Sequence, residues 1–191
     1  GFGNIYVTGF FQSSDFRLDS TDSNISNELN TKGNLEIFIS KYNRNGLLSW
    51  AKSYGTAQND WSRKIAIREN TLYISGYYGD DIEFGDDTLY HEGGDDFFVG
   101  SFDTDGNKLR AFGLSQQGLG DESGVTLDIA PDNTIFVGGY FNSNSIGFGD
   151  TTLNLNGSQD IFLGSFISEL AATFSEIIRP PCNGANDGQL V

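Results

Sequence analysis

Three segments of the chain are near copies of one another: IYVTGFF at 5–11, LYISGYY at 72–78 and IFVGGYF at 135–141. Their shared glycines, Gly9, Gly76 and Gly139, stand 67 and 63 residues apart. A period of that kind constrains the fold more than any composition figure, because a repeated unit buries its apolar face against the next unit. A second set follows the first, IFISKYN (37–43), FFVGSFD (97–103) and IFLGSFI (161–167), with aligned aromatics Tyr42, Phe102 and Phe166. A third set follows that: LLSWAKSYG (47–55), LRAFGLS (109–115) and LAATFSEI (170–177). A fourth opens the next unit, KIAIREN (64–70) and GVTLDIAPDN (124–133).

Each segment is five to eight residues long and rich in β-branched and aromatic side chains, which predicts a strand. Some alternate, as in Leu127-Asp128-Ile129. Others are apolar on both faces, as in Phe97-Phe98-Val99, which suits a strand covered by sheets on both sides. Between the second and third sets lie Asn45-Gly46 and Asp105-Gly106, pairs that tolerate the positive φ of a tight hairpin. Glu69-Asn70 and Pro131-Asp132-Asn133 turn the fourth set into the first. The expectation is an all-β chain of β-propeller blades, each of four antiparallel strands. A partial blade spans 1–55, further blades span 61–115 and 121–178, and a linker with the start of a following repeat spans 179–191. That makes about two and three-quarter blades, too few to close a ring, so further blades are expected before residue 1. On its own the piece is expected to expose two flat blade faces. Two repeats carry an additional match, IEFGDDTL (82–89) and IGFGDTTL (146–153); the first has only DFRLDS there and a long polar insert from Ser20 to Lys32.

Composition narrows the function. The chain has 25 Gly and 3 Pro in 191 residues, consistent with many turns, and 16 Phe and 8 Tyr supply a core from few positions. Eleven basic against 26 acidic residues leave a net charge of -15, which repels phosphate backbones and anionic lipid. Nucleic-acid binding and direct membrane insertion are therefore not expected. Cys182 is the single cysteine, so no internal disulfide framework is expected, and with no Met in the sequence the chain is expected to be an interior piece of a longer polypeptide.

Catalytic constellations are not evident. His91 is the single histidine and sits in a Tyr-His-Glu-Gly-Gly turn; no nucleophile is placed beside a base, and His-Cys zinc sites fail on count. Ser101-Phe102-Asp103-Thr104-Asp105 begins like a sialidase Asp-box but has Asp105 where glycine belongs, and no tryptophan follows. Calcium is the metal to weigh. Asp103, Asp105 and Asn107 resemble the first ligands of a calcium loop, yet the sibling turn Asn43-Arg44-Asn45-Gly46 keeps the turn without the charges, so the hairpin reading is favoured. A second cluster, Asp80, Asp81, Asp86, Asp87, Asp95 and Asp96, is read as solvated loops. No catalytic, cofactor or metal residue is assigned. Trp50 is expected to pack on a neighbouring blade and Trp61 to sit in a loop, packing between blades in preference to stacking on a sugar. Tyr77, Tyr78, Tyr140 and Phe141, read as loop aromatics, motivate an alternative: a carbohydrate-binding propeller module attached to an extracellular enzyme.

GNIYVTGFF, DFFVGSFDTDGNKL and NGLLSWAKSYG together resemble the bacterial SBBP-type β-propeller repeat, over about residues 1–178. The last unit departs from it, with Ile167-Ser168-Glu169 in place of the hairpin glycine, and Pro180-Pro181 follows as a stiff linker. Cys182-Asn183-Gly184-Ala185-Asn186-Asp187-Gly188 resembles the opening of the SprB-type repeat of large adhesins in gliding Bacteroidota. These resemblances imply a secreted, cell-surface chain exported by the type IX route. They imply a non-catalytic binding or spacer module whose partners are other domains of the same polypeptide, surface or secretion-machinery proteins, or glycans.

Overall fold

A computed structural model describes residues 3–18, 28–117, 119–148, 151–167 and 176–177. Cys182, Pro180-Pro181, the SprB-like opening, most of the 170–177 segment and the greater part of the Ser20–Lys32 insert lie outside the described residues. Among the described residues every regular element is a strand, and all the strand pairings within the sheets are antiparallel.

In chain order the first repeat contributes β1 (Ile5–Phe11), the short pair β2 (Phe16–Arg17) and β3 (Glu28–Leu29), then β4 (Glu36–Tyr42) and β5 (Leu48–Tyr54). The second contributes β6 (Trp61–Arg68), β7 (Thr71–Tyr78), β8 (Ile82–Phe84), β9 (Asp87–Leu89), β10 (Asp96–Asp103) and β11 (Lys108–Gly113). After β12 (Ser115–Gln117) the third contributes β13 (Glu122–Ile129), β14 (Thr134–Phe141), β15 (Ser145–Phe148), β16 (Thr151–Asn154), β17 (Asp160–Ile167) and β18 (Glu176–Ile177). Three main sheets result, with orders β1-β4-β5, β6-β7-β10-β11 and β13-β14-β17-β18. The second and third are four-stranded meanders; the first has no counterpart of β6 and β13 beside β1 among the described residues.

The internal match survives in the register. Gly76 faces Ser62 and Gly139 faces Gly124, and in both sheets the next residue of the partner strand, Arg63 or Val125, bulges out of the ladder. Turns repeat as well. Gly46 and Gly106 both adopt φ +78°, and Glu69 and Asn133 take positive φ in the turns that precede β7 and β14. The extra motif forms a hairpin, β8–β9 in one repeat and β15–β16 in another. The first repeat keeps this hairpin despite its insert: Phe16 pairs with Leu29 as Ile82 pairs with Leu89 and Ile146 with Leu153. Pairing of β12 with β15 joins the end of the second repeat to the hairpin of the third.

The core lies between the sheets. Alternation sends Leu72, Ile74, Phe98 and Phe102 to one side, where they pack with Ile37 and Ile39 of the first sheet. It sends Tyr73, Phe97 and Val99 to the other side, against Leu127, Ile135, Val137 and Phe162 of the third. The continuous apolar run Phe97-Phe98-Val99 thus divides between two cores. The hairpins plug the same seams: Ile82 and Phe84 are fully buried in the first core, and Ile146 in the second. Each such side chain contributes about 1.5–3 kcal/mol by leaving water.

Candidate functional site

In an antiparallel meander the first and third strands begin, and the second ends, at the same end of the sheet. At that end the repeats place carboxylates at equivalent positions. Glu36, Asp96 and Asp160 each open the third strand of their repeat, and each takes the backbone N–H four residues earlier: Lys32 to Glu36, Glu92 to Asp96 at 2.7 Å, and Asn156 to Asp160 at 2.7 Å. Asp60 and Glu122 occupy the matching places at the start of β6 and β13. Their N–H groups donate to the carbonyl oxygens of Leu35 (3.0 Å) and Asp95 (2.5 Å) in the preceding repeat. Their side chains fasten the exit of the second strand, Asp60 accepting from Gly79 N (3.2 Å) and Glu122 from the Ser143 hydroxyl, and Asp60 also accepts from Thr56 N (2.6 Å) in the loop that follows β5. Asp121 and Asn142 share three hydrogen bonds, and the Asp121 carboxylate accepts from Asp95 N at 3.1 Å.

Glu36, Asp60, Asp96 and Glu122 are at most 5% exposed. Burial pushes the Glu122 carboxyl up to about 8, with the charges of Asp96 and Asp121 adding to it. Burial likewise raises Asp60 to about 6, with Glu36 contributing, and Asp95 to about 6, with Asp121, Asp60 and Asp96 contributing. Burial also raises Glu36. The arrangement closes loops within and between repeats, and burial keeps its carboxyls protonated to higher pH than ordinary carboxylates. Asp60, Glu122, Glu36 and Asp121 were not singled out from the sequence as candidates. The signal that reveals Glu36 is an acidic residue directly before each of the runs 37–43, 97–103 and 161–167, at positions 36, 96 and 160.

The acids weighed for calcium are dispersed. Asp103 organises the hairpin turn, its carboxylate accepting from Asp105 N (2.9 Å), Asn107 N (2.8 Å) and Asn107 Nδ2 (2.8 Å). Asn43 does the same work with a neutral amide, accepting from Asn45 N (2.9 Å) and Leu47 N (3.1 Å). In the other cluster, Asp86 and Asp87 pair with Lys108, Asp81 accepts from His91 N, and Asp80 accepts from Asp81 N. No group of three or more His, Cys, Asp or Glu positioned to hold a metal ion occurs among the described residues. His91 Nε2 lies 2.6 Å from the Gly94 carbonyl oxygen, within its own turn. Ser101, the first residue of the partial Asp-box, is a strand residue whose hydroxyl donates to the Arg110 carbonyl.

The aromatics hold the sheets together. Trp50 on β5 donates from Nε1 to the Thr104 carbonyl of the next sheet (3.2 Å), and its ring lies against Gly106. Lys41 and Lys52 grip the same turn, through the carbonyls of Thr104 and Gly106. Trp61 begins β6; it was expected in a loop, but it is part of the ladder opposite Tyr77. It stacks on Phe10 of the first sheet at 4.3 Å between centroids and on Tyr77 at 5.5 Å, with the Arg63 guanidinium over both Trp61 and Tyr77. Tyr77, Tyr78, Tyr140 and Phe141 end strands β7 and β14; Tyr77, Tyr78 and Phe141 are buried and Tyr140 is half-buried. No family model matches this chain, and no curated protein matches it.

Proposed function

We propose that the stacked sheets are blades of a β-propeller and that the chain is a non-catalytic binding or spacer module of a large secreted cell-surface protein. The observation that carries this reading is where the polar and aromatic residues are spent. Buried carboxylates, both tryptophans and the lysines around Thr104 all serve the joints within and between sheets. A unit whose distinctive side chains serve its own stacking acts as a scaffold presenting surfaces. The meander order in two repeats is the strand order of a propeller blade. The SBBP-type and SprB-type resemblances point to an adhesin of gliding or type IX-secreting Bacteroidota. Its partners are then other domains of the same polypeptide, surface or secretion-machinery proteins, or glycans. The test joins two measurements. Purified chain is expected to turn over no chromogenic glycoside or peptide above buffer, and antibody against it is expected to label intact cells of the source organism. Turnover that tracks the purified chain, or labelling that requires permeabilised cells, overturns the reading.

A further inference from the structure

The loop that leads into the third strand is built alike in the three repeats, and one copy carries a reactive pair. Lys32-Gly33, Glu92-Gly93 and Asn156-Gly157 occupy equivalent places ahead of Glu36, Asp96 and Asp160. In each loop the residue before the glycine gives its N–H to that carboxylate. The longer Glu36 side chain also takes Gly33 N, at 3.1 Å. The shorter Asp160 takes Asn156 N at 2.7 Å, and among the described residues Gly157 N has no acceptor and the Asn156 side-chain amide has no partner. Gly157 stands at φ +123°, a region that residues with a side chain rarely adopt, and a Cβ there would meet nothing within 4 Å.

We propose that Asn156 is a site of spontaneous deamidation in the folded chain. Asparagine is a thermolabile residue, and a glycine after it puts an unhindered main-chain nitrogen beside its side-chain carbonyl carbon. Gly157 N attacks Asn156 Cγ and a bond forms between them. The Cγ–Nδ2 bond breaks, and ammonia leaves with the proton that Gly157 N gives up. Water then opens the cyclic imide. Opening at Cγ leaves an aspartate; opening at the main-chain carbonyl leaves an isoaspartate, whose backbone runs through the former side chain. Water is the one co-reactant.

The other Asn-Gly pair among the described residues shows what withholds the reaction. Gly46 N donates to the Asn43 carbonyl at 2.9 Å, and Asn43 Oδ1 takes the N–H groups of Asn45 and Leu47 on either side. To bring Gly46 N onto Asn45 Cγ, the peptide between them must rotate out of that turn and give up the bond, and the bonded N–H holds its proton. Asn45 and Asn156 are both exposed, so access to water does not separate them. The bonds that do separate them lie within single repeats. Either product adds a negative charge close in sequence to Asp160, and the isoaspartate also lengthens the main chain by a methylene, so both oppose the Asn156–Asp160 hydrogen bond. The inference is independent of the cell-surface reading.

The test is peptide mapping by mass spectrometry of the full chain, incubated at mildly alkaline pH either folded or in urea. Isoaspartate is read on the separated peptides by methyl transfer with an isoaspartyl methyltransferase. In the folded chain the peptide bearing Asn156 is expected to convert from amide to acid roughly tenfold faster than the peptide bearing Asn45, the rate factor of one net hydrogen bond. In urea the two are expected to react at comparable rates, since glycine follows both. Asn156→Gln is expected to abolish the folded-state signal of its peptide, and Asn45→Gln to leave that signal unchanged. An Asn156 peptide that stays unaltered in the folded chain overturns the proposal, as do equal folded-state rates at Asn156 and Asn45.

Discussion

The carbonyl oxygen of Trp61 lies 1.7 Å from where a Cβ on Gly76 would stand. The bulge at Arg63 turns that carbonyl into the neighbouring strand, and only a hydrogen on Gly76 fits beneath it. Gly139 stands in the same relation to the Ser123 carbonyl, at 1.9 Å. Gly9, their sequence equivalent, has no backbone nearby; its Cβ would meet the Phe38 ring edge at 3.0 Å. Gly76→Ala and Gly139→Ala are therefore expected to cost about 1–3 kcal/mol through overpacking against backbone, and Gly9→Ala less than about 1 kcal/mol. Urea unfolding of the three variants checks this, and equal losses at all three positions would contradict it.

Acid is expected to stabilise the chain over part of the pH range. Glu122 lies above its ordinary 4.5, at about 8, and Asp60 and Asp95 above their ordinary 3.8, at about 6. Between the ordinary and the raised values the folded state holds more protons than the unfolded one, so stability falls as pH rises through that window, which for these carboxyls closes at about 8. Asp103 and Asp132, whose values are lowered by hydrogen bonds, act oppositely: their contribution is lost as pH falls into the ordinary carboxylate range. Between pH 8 and 6 the raised group Glu122 dominates. A Tm rise of a few °C is expected on going from about pH 8 to about pH 6, and Glu122→Gln, which retains an acceptor for Ser143, is expected to flatten it. Thermal melts at constant ionic strength decide the matter; identical slopes for the variant and the parent would exclude Glu122 as the source.

Asp103 and Asn43 test whether charge matters in the hairpin turn. Both accept the N–H groups two and four residues on. Asp103→Asn is expected to shift stability by less than about 0.5 kcal/mol, whereas Asp103→Ala leaves the N–H groups of Asp105 and Asn107 without their acceptor and costs about 1 kcal/mol. If added calcium raised the Tm of the parent but not of Asp103→Asn, the turn would be a metal ligand after all.

Trp50 couples the first two sheets. Trp50→Phe removes the indole donor to Thr104, whose carbonyl still accepts from Lys41 at 2.7 Å, so a loss of about 0.5–1 kcal/mol is expected. Trp50→Ala also empties the space against Gly106 and Tyr6 and is expected to cost about 2–3 kcal/mol. Denaturant midpoints for both variants, with Lys41→Met added in a double-mutant cycle, measure how much the shared carbonyl matters.

Much of this architecture is written locally. Strand positions follow from runs such as IYVTGFF, turn positions from Asn45-Gly46 and Asp105-Gly106, and the unit itself from the recurrence of Gly9, Gly76 and Gly139, because backbone sterics and side-chain periodicity act within a few residues. The tertiary structure decided what depends on partners distant in the chain. It put Phe97 and Phe98 into different cores, preserved the Phe16–Leu29 hairpin across an insert that hides it, and moved Trp61 and Tyr77 from expected loops into a stacked ladder. It also buried Asp96, read from the sequence as part of a solvated cluster, and made buried staples of Glu36, Asp60 and Glu122, which the sequence reading had not singled out. Burial and hydrogen-bond partnership are set by whichever sheet lies alongside, and no local run of residues carries that information.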